Sequence, residues 1–526
     1  MNALPQRPSS IVPPLWQLLP GALLVSVFTV AVFYGQQTYL PVSEGLFLGA
    51  LVAMAALSAL LFGPSRLVLT LVFVYALTGH AFRSVLIVPF GGVEWHPREL
   101  LLLLLFAHGV IKIAQRRVAI QWSPLHMCMM LYSAVFVYAA WRGLWLGNDP
   151  QAIIAELRAP LFLGAFWVFA ACIRRPGDLQ YYGYLALCVV TLMALATLAF
   201  FAWASFFGPI PNTQNALGEF VPRAVGGWTL QSVRPSGHLW FECGLVLCVG
   251  MFWCPREPWY RRCIYVGLGL LFTGAIAVGM MRTAWISVLV SLLVLAWLNL
   301  PRPGKGLVAG GVALLAVLLM IAFGLGIVPT DGLALGRSID ARYVEASGAL
   351  DAMKAHPFFG AGLGASFEAL GLANQTGQDS AIPTDYDSLH NFWLYLAWKG
   401  GLVGLAVALL AITGMLLYTQ GLTNRLPTMN QRCFARCLMA VLVGQLVASL
   451  TMPRLGYGTG ALFLGVWLMG VILLKASMAS PQMALVVNTP PADTGEDDGE
   501  IDDIDENEAP APIRPASRVS STLEQC

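Results

Sequence analysis

One imidazole and two guanidinium groups frame the chemistry this sequence can do. His390 and Asn391 stand where a polar stretch gives way to a hydrophobic run beginning Phe392-Trp393-Leu394-Tyr395. Ionisable side chains at membrane depth are costly to hold there and mark functional candidates. An imidazole titrates near neutrality, so it can take a proton from a hydroxyl at working pH. The competing account is that His390 only caps the helix or anchors it at the headgroup level; position alone does not separate the two. Arg282 sits between two apolar runs and Arg342 opens a helix within the polar stretch. Arginine forks bind phosphate oxygens bidentately and stay charged at any working pH. A base with fixed cations suits displacement at a carbon whose leaving group is a phosphate or diphosphate. The arginines would bind the leaving group and stabilise its developing charge, and the histidine would deprotonate or orient the attacking hydroxyl.

Other chemistries find little support. No GxSxG, no HExxH and no glycosidase-like carboxylate pair is present. Asp385-Tyr386-Asp387 resembles a DxD metal motif but lies beside His390 rather than after an expected strand, so no metal is expected. Phe358-Phe359-Gly360-Ala361-Gly362-Leu363-Gly364 could nest a phosphate on its amides; a glycine-rich helix stop is the preferred account. The ten cysteines show no CxxC and no Cys/His ligand spacing, so neither bridges nor structural zinc are expected.

These residues need a membrane scaffold to position them. Only 11% of the 526 residues are charged and 57% are hydrophobic, where soluble domains carry roughly 25% charge. The fold class expected is an all-α, polytopic membrane helix bundle. Apolar runs mark spans at about 16–35, 44–63, 66–87, 98–112, 124–146, 155–173, 180–206, 238–254, 263–281, 283–299, 306–328, 389–418, 434–452 and 459–475. That gives about 12–14 helices. Basic clusters such as Arg116-Arg117, Arg174-Arg175 and Arg261-Arg262 fall on one side and place both termini inside. Twelve further bases fall on the other side: Arg83, Arg98, Arg142, Arg158, Arg223, Arg234, Arg282, Arg337, Arg342, Lys354, Lys399 and Arg454. Topology does not ask for these. Pairing with outer acids such as Glu156 and Glu345 accounts for some; a polyanion site accounts for the rest.

The membrane domain covers 1–475, with one large outer loop at 329–388. Within that loop Asp340 to Ala355 reads as an amphipathic helix with Tyr343, Ala346, Leu350 and Met353 on one face, stopped at His356-Pro357. The tail, 476–526, is rich in Pro, Asp and Glu and is expected to be disordered and cytoplasmic. It holds eleven of the 28 acids, leaving the membrane part 28 bases against 17 acids.

Four segments resemble the O-antigen ligase and Wzy-type O-antigen polymerase superfamily. They are Arg234-Pro235-Ser236-Gly237, Met281-Arg282-Thr283-Ala284-Trp285, Arg342 through His356-Pro357-Phe358-Phe359-Gly360-Ala361-Gly362-Leu363-Gly364, and His390-Asn391 through Gly400-Gly401-Leu402-Val403-Gly404, a core of about 230–405. The resemblance implies a GT-C-like bundle with a large periplasmic loop, in the bacterial inner membrane. It implies a metal-independent glycosyltransferase needing no cofactor, which moves a glycan from undecaprenyl diphosphate to an acceptor glycan or to lipid A-core. His390 matches the family's essential histidine and Arg342 its loop arginine. Its membrane-edge arginine matches Arg282, with Arg234 as second candidate. Met281 departs from the serine that members usually carry there, and the acidic tail is not a family feature. The expected partners are the lipid-linked glycan, its acceptor, membrane lipids and a chain-length regulator, with no nucleic acid. A repeat-unit polymerase of O-antigen or exopolysaccharide is preferred to a ligase, on chain length alone. The reading from another class is a transporter of polysaccharide or lipid-linked oligosaccharide. Against it, no internal repeat and no matched pair of broken helices is visible in the sequence.

Overall fold

A computed structural model gives the architecture. The structure describes residues 88–90, 93–95, 122–161, 163–164, 176–207, 219–225, 228–234, 238–255, 257–279, 281–300, 304, 335–372, 381–386, 389–452 and 458–478. The spans expected before residue 113 and at 306–328 lie outside the described residues, as does the chain after 478.

The described helices are α1 (Pro124–Leu146), α2 (Pro150–Leu161), α3 (Pro176–Phe207), α4 (His238–Phe252), α5 (Trp259–Gly279), α6 (Arg282–Asn299), α7 (Leu335–Ala355), α8 (Phe392–Arg425), α9 (Met429–Ala448) and α10 (Gly458–Met478). Among the described residues, five segments are long and apolar enough to cross a membrane: Pro124–Leu146, Tyr181–Phe207, Trp259–Gly279, Phe392–Arg425 and Met429–Ala448. The chain is therefore a multi-pass membrane protein built as a helical bundle, as its composition requires. Among the described residues three antiparallel hairpins join it: β1 (Val88–Phe90) with β2 (Val93–Trp95), β3 (Glu219–Val225) with β4 (Trp228–Arg234), and β5 (Phe367–Leu372) with β6 (Ala381–Tyr386).

Small residues let the central helices approach. A Cβ on Gly444 of α9 would fall 2.5 Å from the carbonyl oxygen of Ser287 in α6, the close backbone contact expected where lipid leaves little hydrophobic drive between helices. Beside this contact Gln445 Nε2 donates to Glu242 Oε2 of α4 at 2.8 Å and to Ser287 Oγ at 2.9 Å, all three residues buried.

The helix after His390 is broken. Gly401 takes φ 70° and ψ −179° inside α8, backbone open to glycine and strained for other residues. The break frees two carbonyls and two amides that the helix would otherwise pair. The glycine-rich turn after α7 supplies all four partners. Ala361 N donates to Trp398 O at 2.9 Å and Gly362 N to Lys399 O at 3.0 Å, while Leu402 N donates to Pro357 O at 3.0 Å and Val403 N to Phe358 O at 3.2 Å. The turn is thus spliced into the helix. Leu363 N binds Ala139 O of α1 at 2.8 Å, and Asn148 Nδ2 donates to Ala361 O and Leu363 O, each at 2.9 Å. Amides so engaged cannot nest a phosphate, so the preference for a structural turn stands, in a form more elaborate than a helix stop.

The loop helix also differs from its expected face. It runs from Leu335, earlier than Asp340, and Tyr343 and Leu350 are exposed. The packed side carries Glu345, Ala349, Ala352 and Met353. Ala349, Ala352 and Met353 meet Phe367, Leu389 and Trp398, and Trp398 stands edge-on to Phe367 at 5.0 Å. The reason is the partner: the face is chosen by Trp398, which the sequence pattern does not reveal.

Candidate active site at one mouth of the bundle

His390 is placed by the cap of α8. Asn391 Oδ1 accepts from Trp393 N at 3.0 Å and Leu394 N at 3.1 Å, satisfying the first turn as an N-cap does. Phe392 N donates to Ser449 O at 2.9 Å, and Trp393 Nε1 to Leu446 O at 3.1 Å, which ties the start of α8 to the end of α9. His390 therefore immediately precedes the N-cap of α8, on a rigid stem.

The loop helix brings its own charges to this point. Glu345 Oε1 accepts from the backbone N–H of His390. The imidazole Nδ1 lies 3.2 Å from Oε1 and 3.0 Å from Oε2 of the same carboxylate. Arg342, one helical turn earlier on α7, sets Nη1 3.3 Å from Oε2. The Glu345 side chain is 7% exposed, against 42% for Arg342 and 52% for His390. The carboxylate is the buried floor, and the two basic groups stand above it. Burial pushes Glu345 above its usual range, with Arg342 opposing that rise; burial also pulls Arg342 down, with Glu345 opposing. The structure thus brings two of the four expected site residues onto one carboxylate. Glu345 was legible only as an ordinary counter-ion of an outer arginine, through its helical spacing from Arg342; its contact with His390 left no local signal.

Arg282 and Arg234 come to the same end by backbone position. Arg282 is the first residue of α6. Its neighbour Thr283 sets Oγ1 2.9 Å from Met452 Sδ, just past the end of α9 that carries Ser449. Arg234 is the last residue of β4, and the carbonyl of Val233 lies beside Gly279, where α5 ends. The opposite end of the bundle holds a separate polar set: Arg436 bound to Asn299, Asn430 to Glu257, and Gln431 to Ser477.

A second polar centre, missed in the sequence, locks the splice. Lys399 is buried and sets Nζ 2.7 Å from Glu156 Oε1 of α2 and 2.6 Å from Ala365 O. Tyr395 OH donates to Glu156 Oε2 at 3.0 Å. Lys399 and Glu156 both stand among the outer charges of the sequence, and pairing, not substrate, accounts for the lysine. Asp385 lies within strand β6, in register with Glu368 of β5. Among the described residues no cluster of three or more His, Cys, Asp or Glu could hold a metal ion.

Residues 243–409 match the model of the O-antigen ligase family, Wzy_C. Over these residues the chain is similar to that family, and the match supports a membrane glycan-processing enzyme. It takes in Arg282, Arg342, Glu345 and His390 and leaves Arg234 outside. None of the curated proteins matches. A solved structure titled "Structural coordination of polymerization and crosslinking by a peptidoglycan synthase complex" is similar over 69% of this chain and 100% of that one, at 17% identity and a TM-score of 0.40.

Proposed function

We propose that this chain is a glycosyltransferase of the inner membrane that moves a glycan from undecaprenyl diphosphate to an acceptor sugar at the periplasmic face. The supporting observation is the meeting of His390 and Arg342 on one carboxylate at the end of the bundle where α6 begins with Arg282. His390 takes the proton of the acceptor hydroxyl. The acceptor oxygen forms a bond to the anomeric carbon as the bond from that carbon to the diphosphate oxygen breaks. The electron pair leaves with the diphosphate, whose charge Arg282 and Arg342 stabilise, with Arg234 as a further contact. The residues that do this work are protein side chains, with no metal and no cofactor assigned a part.

The product expected first is a polymer of O-antigen or exopolysaccharide repeats. The ligase alternative, transfer onto lipid A-core, is favoured by the description of the matched family. A proteoliposome assay with labelled lipid-linked glycan separates these. A ladder of lipid-linked repeats means polymerase, glycan on lipid A-core means ligase, and movement of intact donor without bond cleavage means a transporter and ends the proposal.

A further inference from the structure

We propose that Glu345 is the positioning residue of His390: its carboxylate holds the imidazole as the Nδ1–H tautomer and so leaves Nε2 open to the acceptor hydroxyl. This rests on His390 being the base, as proposed above. One carboxylate grips His390 twice, at the backbone N–H and at Nδ1. An ionised carboxylate only accepts hydrogen bonds, so the ring nitrogen facing it carries the proton. Nε2 then bears the lone pair. Arg342 holds the second carboxylate oxygen from the preceding turn of α7. Among the described residues, the charged or titratable groups set against this carboxylate are Arg342 from its own helix and His390 from the start of α8.

The pair works across the transfer step. When Nε2 takes the acceptor proton, the Nδ1 proton stays in place, and the carboxylate stabilises the imidazolium without accepting a proton. Because Glu345 is buried and His390 half exposed, the orienting group is shielded while the ring stays open to substrate. Glutamine in its place has a single acceptor oxygen and two N–H donors. It can serve the backbone N–H of His390, but its donors against the ring favour the opposite tautomer.

The test compares wild type, Glu345→Gln, Glu345→Asp and His390→Ala, each as full-length protein in proteoliposomes with labelled polyprenyl-diphosphate glycan, across pH. Glu345→Gln should lower kcat about 100-fold with little change in donor KM. The acid limb of its pH–rate profile should move to lower pH, because a neighbouring carboxylate favours the charged imidazole and its loss removes that help. Glu345→Asp should recover part of the rate and restore the wild-type acid limb; it also carries the test should the glutamine variant fail to fold. Wild-type kcat and profile in Glu345→Gln, or in Glu345→Asp an acid limb moved to lower pH despite the retained carboxylate, with His390→Ala inactive, would overturn the positioning role alone. Full activity in His390→Ala would overturn the base reading beneath it.

Discussion

A Cβ on Gly360 would lie 2.5 Å from the amide nitrogen of Gly401, and a Cβ on Gly401 would lie 2.6 Å from that of Gly360. Both residues have positive φ, 74° and 70°. Neither can accept a side chain without opening the four-bond splice between turn and helix. Left-handed backbone alone costs a non-glycine residue about 1–2 kcal/mol, and the clash adds to it. Gly401→Ala should lower the thermal midpoint in detergent and reduce transfer. Gly421→Ala, in the same helix with nothing within 4 Å of the added methyl, should leave both intact or raise the midpoint slightly.

The splice also leans on Lys399 and Glu156. Replacing one partner of a buried ion pair leaves the other uncompensated, at about 3–5 kcal/mol. Lys399→Met should therefore destabilise strongly in a denaturation series, and adding Glu156→Gln should recover much of the loss. Equal midpoints for the single and double variants would show that the pair is not coupled.

Arginine at 282 and 342 should not be replaceable by lysine. A point charge cannot fork onto a diphosphate, and one lost charge-assisted hydrogen bond is worth about 1.5–3 kcal/mol. Each Arg→Lys variant should lose roughly 10–100-fold in kcat/KM for the lipid-linked donor. Near-full activity in both would mean that attraction of an anion, without directed bonds, is all these residues supply.

Glu345 gives a prediction on stability with a definite sign. Its value is raised in the fold by burial against the opposing pull of Arg342. A carboxylate so shifted contributes stability below its unfolded value and loses that contribution as pH rises through the folded one. Glutamine lacks this dependence. The melting temperature of Glu345→Gln relative to wild type should therefore improve as pH is raised from roughly 4 to 7, while transfer activity falls. A relative midpoint that worsens over the same range would contradict the shift.

What could be read from the chain follows a physical divide. Apolar length marks spans, so α1, α4 and α6 begin and end close to expectation, and a polar pair at a helix mouth marks His390. Contacts between distant segments leave no periodic trace. The break at Gly401 is invisible because its cause is a turn some forty residues earlier, and Glu345 looks like a surface counter-ion until His390 arrives beside it. The hairpins β3–β4 and β5–β6 fall where loops are expected, since Pro222 and Pro383 within them argue against strands in the sequence.

The central claim is that His390 takes the acceptor proton. Purified His390→Ala, reconstituted with labelled undecaprenyl-diphosphate glycan and acceptor, tests it most directly. The account predicts a folded protein of normal thermal midpoint whose transfer rate is at least about 100-fold down. Transfer at the wild-type rate would contradict it.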